Sequence, residues 1–171
     1  MDERATIPLD AETKAAERPH DHHDELRLWL RLLTCTTLIE GEVRRRLRET
    51  FDVTLPRFDL MAQLDKTPDG MTLGELSSRM MVSNGNVTPL VERLVADRLI
   101  ARRPARHDRR AQIVRLTPAG RRSFRAMAKA HESWILEIFA DLKPAEIASL
   151  MALLAKTKRS AARAVGRGET G

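Results

Sequence analysis

Residues 72–116 read TLGELSSRMMVSNGNVTPLVERLVADRLIARRPARHDRRAQIVRL, and the succession of periods in that stretch decides the fold. Leu73, Leu76 and Met80 recur at helical spacing, which predicts a short helix over Thr72–Arg79. Met81-Val82 interrupts the run, and Ser83 is of a residue type favoured at helix N-caps. Val87, Leu90, Val91, Leu94 and Val95 then fall at i, i+3, i+4, i+7 and i+8, the stripe of a helix buried along one side. Leu99–Arg103 and Ala111–Leu116 flank a polar turn at Pro104–Arg110, so they predict a hairpin.

Helix, tight turn, helix, then strand–turn–strand is the outline of a winged helix-turn-helix, in which the second helix enters the DNA major groove. The hairpin turn is the wing. It is cationic, with Arg98, Arg102, Arg103, Arg106, Arg109 and Arg110 against Asp97 and Asp108. Leu73-Gly74-Glu75-Leu76, Ser83-Asn84-Gly85-Asn86-Val87-Thr88, Leu90–Leu94, Asp108-Arg109-Arg110 and Val114–Gly120 together resemble the MarR family of bacterial transcription regulators. The Asp-Arg-Arg turn, followed by Leu-Thr-x-x-Gly, is the specific part of that likeness. The order of elements runs parallel to the family from about Asp24 to Arg163. The resemblance implies a homodimer that represses genes and releases DNA when a small molecule binds. A two-fold dimer demands an inverted-repeat operator, its half-sites about one helical turn apart.

The fold class expected is mainly α with a small β-hairpin wing. It comprises a disordered acidic tail over 1–23, a helical dimerisation region made of 24–50 and 118–165, and the winged module over 54–116. In the tail region, residues 1–25 hold eight acidic against three basic side chains, so the remainder is more cationic than the whole chain's +6. A basic body points to a polyanionic partner. Four Phe, two Trp and no Tyr argue against a base-stacking RNA platform. The first residues lack the apolar core of an export signal, and a single cysteine excludes an internal disulfide, so a cytoplasmic protein is expected.

Leu28, Leu32, Cys35, Ile39, Val43 and Leu47 form one stripe of a long helix from about Asp24 to Thr50. Leu26, Trp29, Leu30 and Leu33 widen it, as a helix buried on more than one side requires. On this stripe Cys35 reads as a small buried hydrophobe, with a redox sensor, as in some members of the family it resembles, as the alternative. Arg44-Arg45-Arg46 and Arg48 either complement the helix C-terminus or grip an anion. Thr54 caps a second helix with Pro56 in its first turn, and Met71-Thr72 offers the wing a third short strand. Thr117-Pro118 opens another helix and Pro144 the last, with Ala161–Gly171 fraying. His20-Asp21-His22-His23-Asp24 carries zinc-type donors in a run with no fixed geometry, so no metal and no cofactor are expected.

With Val87, Val91 and Leu94 inward, the second helix turns Gly85, Asn86, Pro89, Glu92, Arg93 and Ala96 outward, with Thr88 at the border. Ser83, Asn84, Asn86 and Thr88 are the expected contacts to base edges or phosphates, since Asn pairs with adenine and Thr meets a thymine methyl. Arg93 reaches a phosphate or pairs with Glu92 or Asp97. Pro89 departs from the family, whose members usually carry Gly or Arg there. Either the helix bends at Pro89 or it starts near Asn86. In the wing, the resemblance implies that Asp108 braces the turn with Arg110 while Arg109 or Arg106 probes a narrow minor groove.

The effector site implied by the resemblance lies between the dimer helices and the winged module, with Trp29, Arg57, Phe58, Met61, Phe124, Met127 and His131 as candidate liners. All have core packing as the alternative. Residues 28–36, 54–64 and 82–88 further resemble the branch that regulates breakdown of plant-derived aromatic acids, which implies an aromatic acid or hydroxycinnamoyl-CoA as effector. No Gly-rich phosphate loop, nucleophile motif or metal-spaced cluster outside the tail supports an enzyme. A sequence-tolerant architectural DNA-binding protein without a ligand is the competing function.

Overall fold

The computed structural model describes residues 24–104 and 112–168, with the backbone alone for residues 84 and 166–168. Its elements are α1 (Asp24–Phe51), α2 (Leu55–Asp65), β1 (Met71–Thr72), α3 (Leu73–Met80), α4 (Asn84–Ala96), β2 (Ile100–Pro104), β3 (Gln112–Leu116), α5 (Pro118–Ile138) and α6 (Pro144–Gly168). Mostly helical with one small sheet, this is the architecture expected from the periodicities. The acidic tail and its histidine run lie outside the described residues. The chain divides into two compact units, one within Met1–Glu132 and one within Ser133–Gly171.

In the first unit the strands form an antiparallel sheet in the order β1-β3-β2. Ile100 pairs with Leu116, Ala101 with Arg115 and Arg102 with Val114, while Met71 faces Val114 across the other edge. Ile100, Val114 and Leu116 are buried, and with Val87, Val91 and Leu94 of α4 and Leu60, Met61 and Leu64 of α2 they make the core. Val87, Val91 and Leu94 are fully enclosed, each worth about 1.5–3 kcal/mol of apolar burial.

Local chemistry fixes the ends of these elements. Thr72 caps α3 in a reciprocal box: its hydroxyl accepts from the Glu75 N–H at 3.2 Å, and the Glu75 carboxylate accepts from the Thr72 N–H at 2.7 Å. Those bonds hold the Glu75 carboxyl below its usual range. Three helices end on a left-handed residue that is not glycine: Asp52 (φ 52°), Met81 (φ 55°) and Arg98 (φ 58°). After α3 the Val82 N–H returns to the Ser77 carbonyl at 3.1 Å, and after α4 the Leu99 N–H returns to Leu94 at 2.9 Å, the wrap of a Schellman end. Gly70 (φ +87°) precedes β1, and a Cβ there would stand 2.4 Å from the Val114 carbonyl oxygen.

The helices differ from expectation at two points. Cys35 is exposed in the single chain, where α1 buries only Val43 and Leu47, further along the helix. The last helix continues to Gly168 instead of fraying from Ala161, in keeping with the high helix propensity of Ala161, Ala162 and Ala164. Three of the α1 arginines already have carboxylate partners, which favours their helical role over anion gripping. Glu40 holds Arg44, and Glu42 holds both Arg45 and Arg46 at 2.6 Å. The two guanidiniums depress the Glu42 carboxyl to about 2.

In the second unit, Ile135, Leu136, Phe139, Leu142, Ile147, Leu150, Met151 and Leu154 line an open apolar groove of about 530 Å³. Leu136, Met151 and Leu153 are well over half exposed. The N-terminal part of α1 is likewise exposed at Leu26, Leu28, Trp29 and Leu33. Among the described residues no helix is long and apolar enough to cross a membrane, and no group of His, Cys, Asp or Glu is placed to hold a metal ion.

Candidate nucleic-acid interface

The turn between α3 and α4 aims the second helix. Met81 in the left-handed region reverses the chain, and Ser83 takes the extended N-cap conformation (φ −69°, ψ 153°) from which α4 starts. Ser83 serves as cap through its backbone; its hydroxyl makes no capping bond and stays exposed. Its carbonyl accepts from the N–H groups of Asn86 and Val87 at 3.0 and 3.3 Å.

The helix then runs unbroken from Asn84 to Ala96 with Pro89 inside it, so a start near Asn86 is ruled out. Proline at that position removes the N–H that would have bonded the Gly85 carbonyl. Gly85 is exposed, which leaves its carbonyl open to solvent or to a partner. Burial of Val87, Val91 and Leu94 turns Gly85, Asn86, Pro89, Glu92, Arg93 and Ala96 outward and leaves Thr88 half-buried at the border. This is the orientation predicted from the periodicity. The exposed edge at the helix start is polar and small, the shape that admits a base edge or phosphate.

Arg93 is 70% exposed and its Nε lies 3.8 Å from the Asp97 carboxylate. The same carboxylate oxygen accepts a hydrogen bond from Arg57 Nη2. Arg57 therefore reaches from α2 to the C-cap of α4, across forty positions of sequence. A carboxylate at the C-terminal end of a helix opposes the dipole, so Asp97 needs that cation. Arg57 Nε is buried without a partner among the described residues, which shows how tightly the guanidinium is lodged.

The wing is tied down at its base. Thr117 donates its N–H to the Leu99 carbonyl at 3.0 Å and its hydroxyl to Arg98 O at 2.9 Å, while the hydroxyl accepts from the Gly120 N–H at 2.9 Å. Gly120 lies directly on Leu99: a Cβ there would stand 1.9 Å from its carbonyl oxygen. The Leu-Thr-x-x-Gly signature is thus a physical requirement, a threonine to cap α5 and a glycine to let α5 touch the turn before β2. Further along β2, Arg103 Nη2 donates to the Asp69 carbonyl at 3.1 Å, a tie that the sequence pattern did not single out. The wing tip, with Arg106, Asp108, Arg109 and Arg110, lies outside the described residues.

The candidate effector residues are spread over three helices. Phe58 packs against Phe124 (ring centroids 5.5 Å) and against His131 (5.1 Å). Met61 and Met127 are sealed in the core, Phe58 and Phe124 nearly so, His131 is half-buried and Trp29 is exposed on α1. Beside this stack, burial pushes the Asp59 carboxyl up from its usual range, with the charge of His131 opposing and that of Glu40 reinforcing.

Comparisons with known proteins agree with this geometry. The family model described as MarR family matches residues 51–111. A MarR family transcriptional regulator of known structure from Silicibacter pomeroyi is 31% identical, superposes with a TM-score of 0.69, and the match covers 80% of this chain and 94% of that one. A mutant of MarR from E. coli, solved in complex with operator DNA, shares the fold at 24% identity and a TM-score of 0.69, over 78% of this chain and 96% of its own. The transcriptional activatory protein BadR of Rhodopseudomonas palustris is 30% identical over 105 residues, which span 60% of this chain and 59% of that protein. With the turn, the outward polar edge of α4 and the glycine-seated wing in place, the chain belongs to the MarR family of DNA-binding transcriptional regulators, which are not enzymes.

Proposed function

We propose that the protein is a cytoplasmic, ligand-responsive homodimer that binds an inverted-repeat operator and represses transcription from it. The observation that carries this reading is the sidedness of α4: Val87, Val91 and Leu94 are fully buried, while Asn86 and Arg93 are exposed. Ser83, Asn84, Asn86, Thr88 and Arg93 enter the major groove. Arg106, Arg109 and Arg110, braced by Asp108, reach the minor groove beside it.

The exposed leucines of α1 and the open apolar groove between the end of α5 and α6 favour the dimer, because a second copy of the same helices would cover them. In this reading residues 24–50 and 118–165 supply the dimer contacts and residues 54–116 the winged module.

The effector is a small aromatic acid or its CoA thioester, in keeping with the resemblance of residues 28–36, 54–64 and 82–88. His131, half-buried beside Phe58, and Trp29, exposed on α1, are the candidates open to a ligand, and Arg57 offers a cation for the carboxylate or phosphate; Phe58, Met61, Phe124 and Met127 are core in the free chain and meet an effector only if these helices part. Arg57 is already engaged by Asp97, so an anionic effector competes with the end of the recognition helix for the same guanidinium.

The test is a titration of the chain against duplexes from its own upstream region, with and without hydroxycinnamates and their CoA esters, alongside sedimentation to count subunits. The reading expects a dimer, at least a hundredfold preference for one palindromic fragment over its scrambled version, and release by one effector class. Equal affinity for both fragments with no effector response identifies an architectural protein instead. BadR is by its name an activator, so a reporter arm decides the sign of regulation.

A further inference from the structure

On the side of the sheet away from the core, the guanidiniums sort differently from those of α1. Arg115 of β3 and Arg121, Arg122 and Arg125 of α5 line one open groove of about 440 Å³, together with Pro68, Ala101, Leu116, Thr117 and Pro118. Arg121 is held by Asp65 at 3.2 Å. Arg115, Arg122 and Arg125 are exposed and have no ion pair among the described residues, whereas Arg44, Arg45 and Arg46 all sit on glutamates.

Helix stability does not explain this placement. Cations in the first turns of a helix oppose its dipole. Arg121 with Arg125, and Arg122 with Arg125, are like charges one turn apart, which disfavours the helix further. Folding alone is better served by acids at these positions. The groove also differs from the DNA-reading surface in orientation. Directly paired strand residues share a face. Ile100 and Leu116 face the core, so their neighbours Ala101 and Arg115 point the other way, off the body that carries α4.

We propose that this groove is a binding site for a polyphosphorylated small molecule, separate from the DNA interface. One carboxylate satisfies one guanidinium in a two-point contact. Three unpaired guanidiniums around one hollow call for a ligand with at least two anionic groups close together, as in a diphosphate. Pro68, Ala101 and Pro118 give an apolar surface beside them for a ring or chain, and the volume falls within the range of small-molecule sites.

The experiment uses the full chain and inorganic pyrophosphate and ADP as probes, by calorimetry at fixed ionic strength, with acetate as the monovalent comparison. The expected result is saturable one-to-one binding of pyrophosphate and ADP, at least tenfold tighter than acetate, and weakened at least tenfold in Arg122→Ala/Arg125→Ala. The same double variant keeps its affinity for duplex DNA within twofold. It also melts no lower than the parent, because both side chains are exposed and repel one another. No saturable pyrophosphate binding, or binding that the double substitution leaves unchanged, overturns the proposal. A loss of duplex affinity as large as the loss of pyrophosphate affinity overturns it too, by identifying the groove as a contact to DNA backbone.

Discussion

Replacing Gly120 by alanine tests whether the base of the wing is built as described. The added methyl would stand 1.9 Å from the Leu99 carbonyl oxygen and 2.8 Å from its carbon. Both are backbone atoms, so no flexible side chain yields. Either α5 or the turn at Arg98-Leu99 must move by at least about 1 Å to restore van der Waals contact. That movement strains the bonds that Thr117 makes to the Leu99 and Arg98 carbonyls. Overpacking of this kind costs about 1–3 kcal/mol, and two weakened hydrogen bonds add about 1 kcal/mol each, for a total of about 3–5 kcal/mol. For a chain of this size that is a fall of roughly 6–20 °C in melting temperature, read by circular dichroism. The companion variant Gly41→Ala makes the same chemical change in the middle of α1, where nothing lies within 4 Å of the new methyl, and gains about 1 kcal/mol of helix propensity. A Gly120→Ala protein that melts within about 1 °C of the parent would falsify the close approach of α5 to the wing base.

Met81→Gly and Arg98→Gly each relieve a left-handed non-glycine residue and should raise stability by up to about 1 kcal/mol, measured by urea titration; a loss at both would mean that their side chains hold the turns. Arg57→Ala leaves Asp97 with only the more distant Arg93 at the end of α4 and should lower stability by about 1–3 kcal/mol, with a matching loss of duplex affinity that Asp97→Asn partly restores in the double variant; additive losses would deny the clasp. Glu42 and Glu75 have depressed carboxyls in the folded chain, so the stability they add is complete above their unfolded value near 4.5 and disappears as pH falls through the folded one, about 2 for Glu42. The melting temperature should therefore fall between pH 5 and about pH 2, less steeply in Glu42→Gln and Glu75→Gln; identical profiles would refute the assignment.

How much of this was legible in the sequence depends on the distance over which each interaction acts. The faces of α4 followed from Val87, Val91 and Leu94 alone, because helical period fixes which side is inward. The Thr72–Glu75 box is a four-residue pattern that can be read directly as a helix start. Helix ends were harder, since the usual signal is glycine and this chain ends three helices on Asp52, Met81 and Arg98. Arg57 with Asp97, and Arg121 with Asp65, join positions forty and fifty-six apart, and no local pattern announces either pair. The exposure of Cys35 in the single chain is hidden from the sequence for a related reason. Its stripe is apolar, but within its own unit α1 is buried only further along, at Val43 and Leu47.

Net charge informs about DNA binding only after the cations are sorted by partner. The +6 of the chain includes Arg44, Arg45 and Arg46, whose charge is largely cancelled where it stands by Glu40, Glu42 and Glu49. An arginine already paired in the free protein releases few counterions on meeting a phosphate, whereas one that leaves water to neutralise a phosphate lowers the salt slope of binding by about 0.9. Arg45→Ala should therefore leave the dependence of operator affinity on salt unchanged. Arg109→Ala should weaken operator and unrelated duplex alike and flatten that dependence by about one contact. The measurement is fluorescence anisotropy over a series of salt concentrations. If Arg45→Ala flattens the slope and Arg109→Ala does not, the arginines of α1 face the nucleic acid and the wing does not.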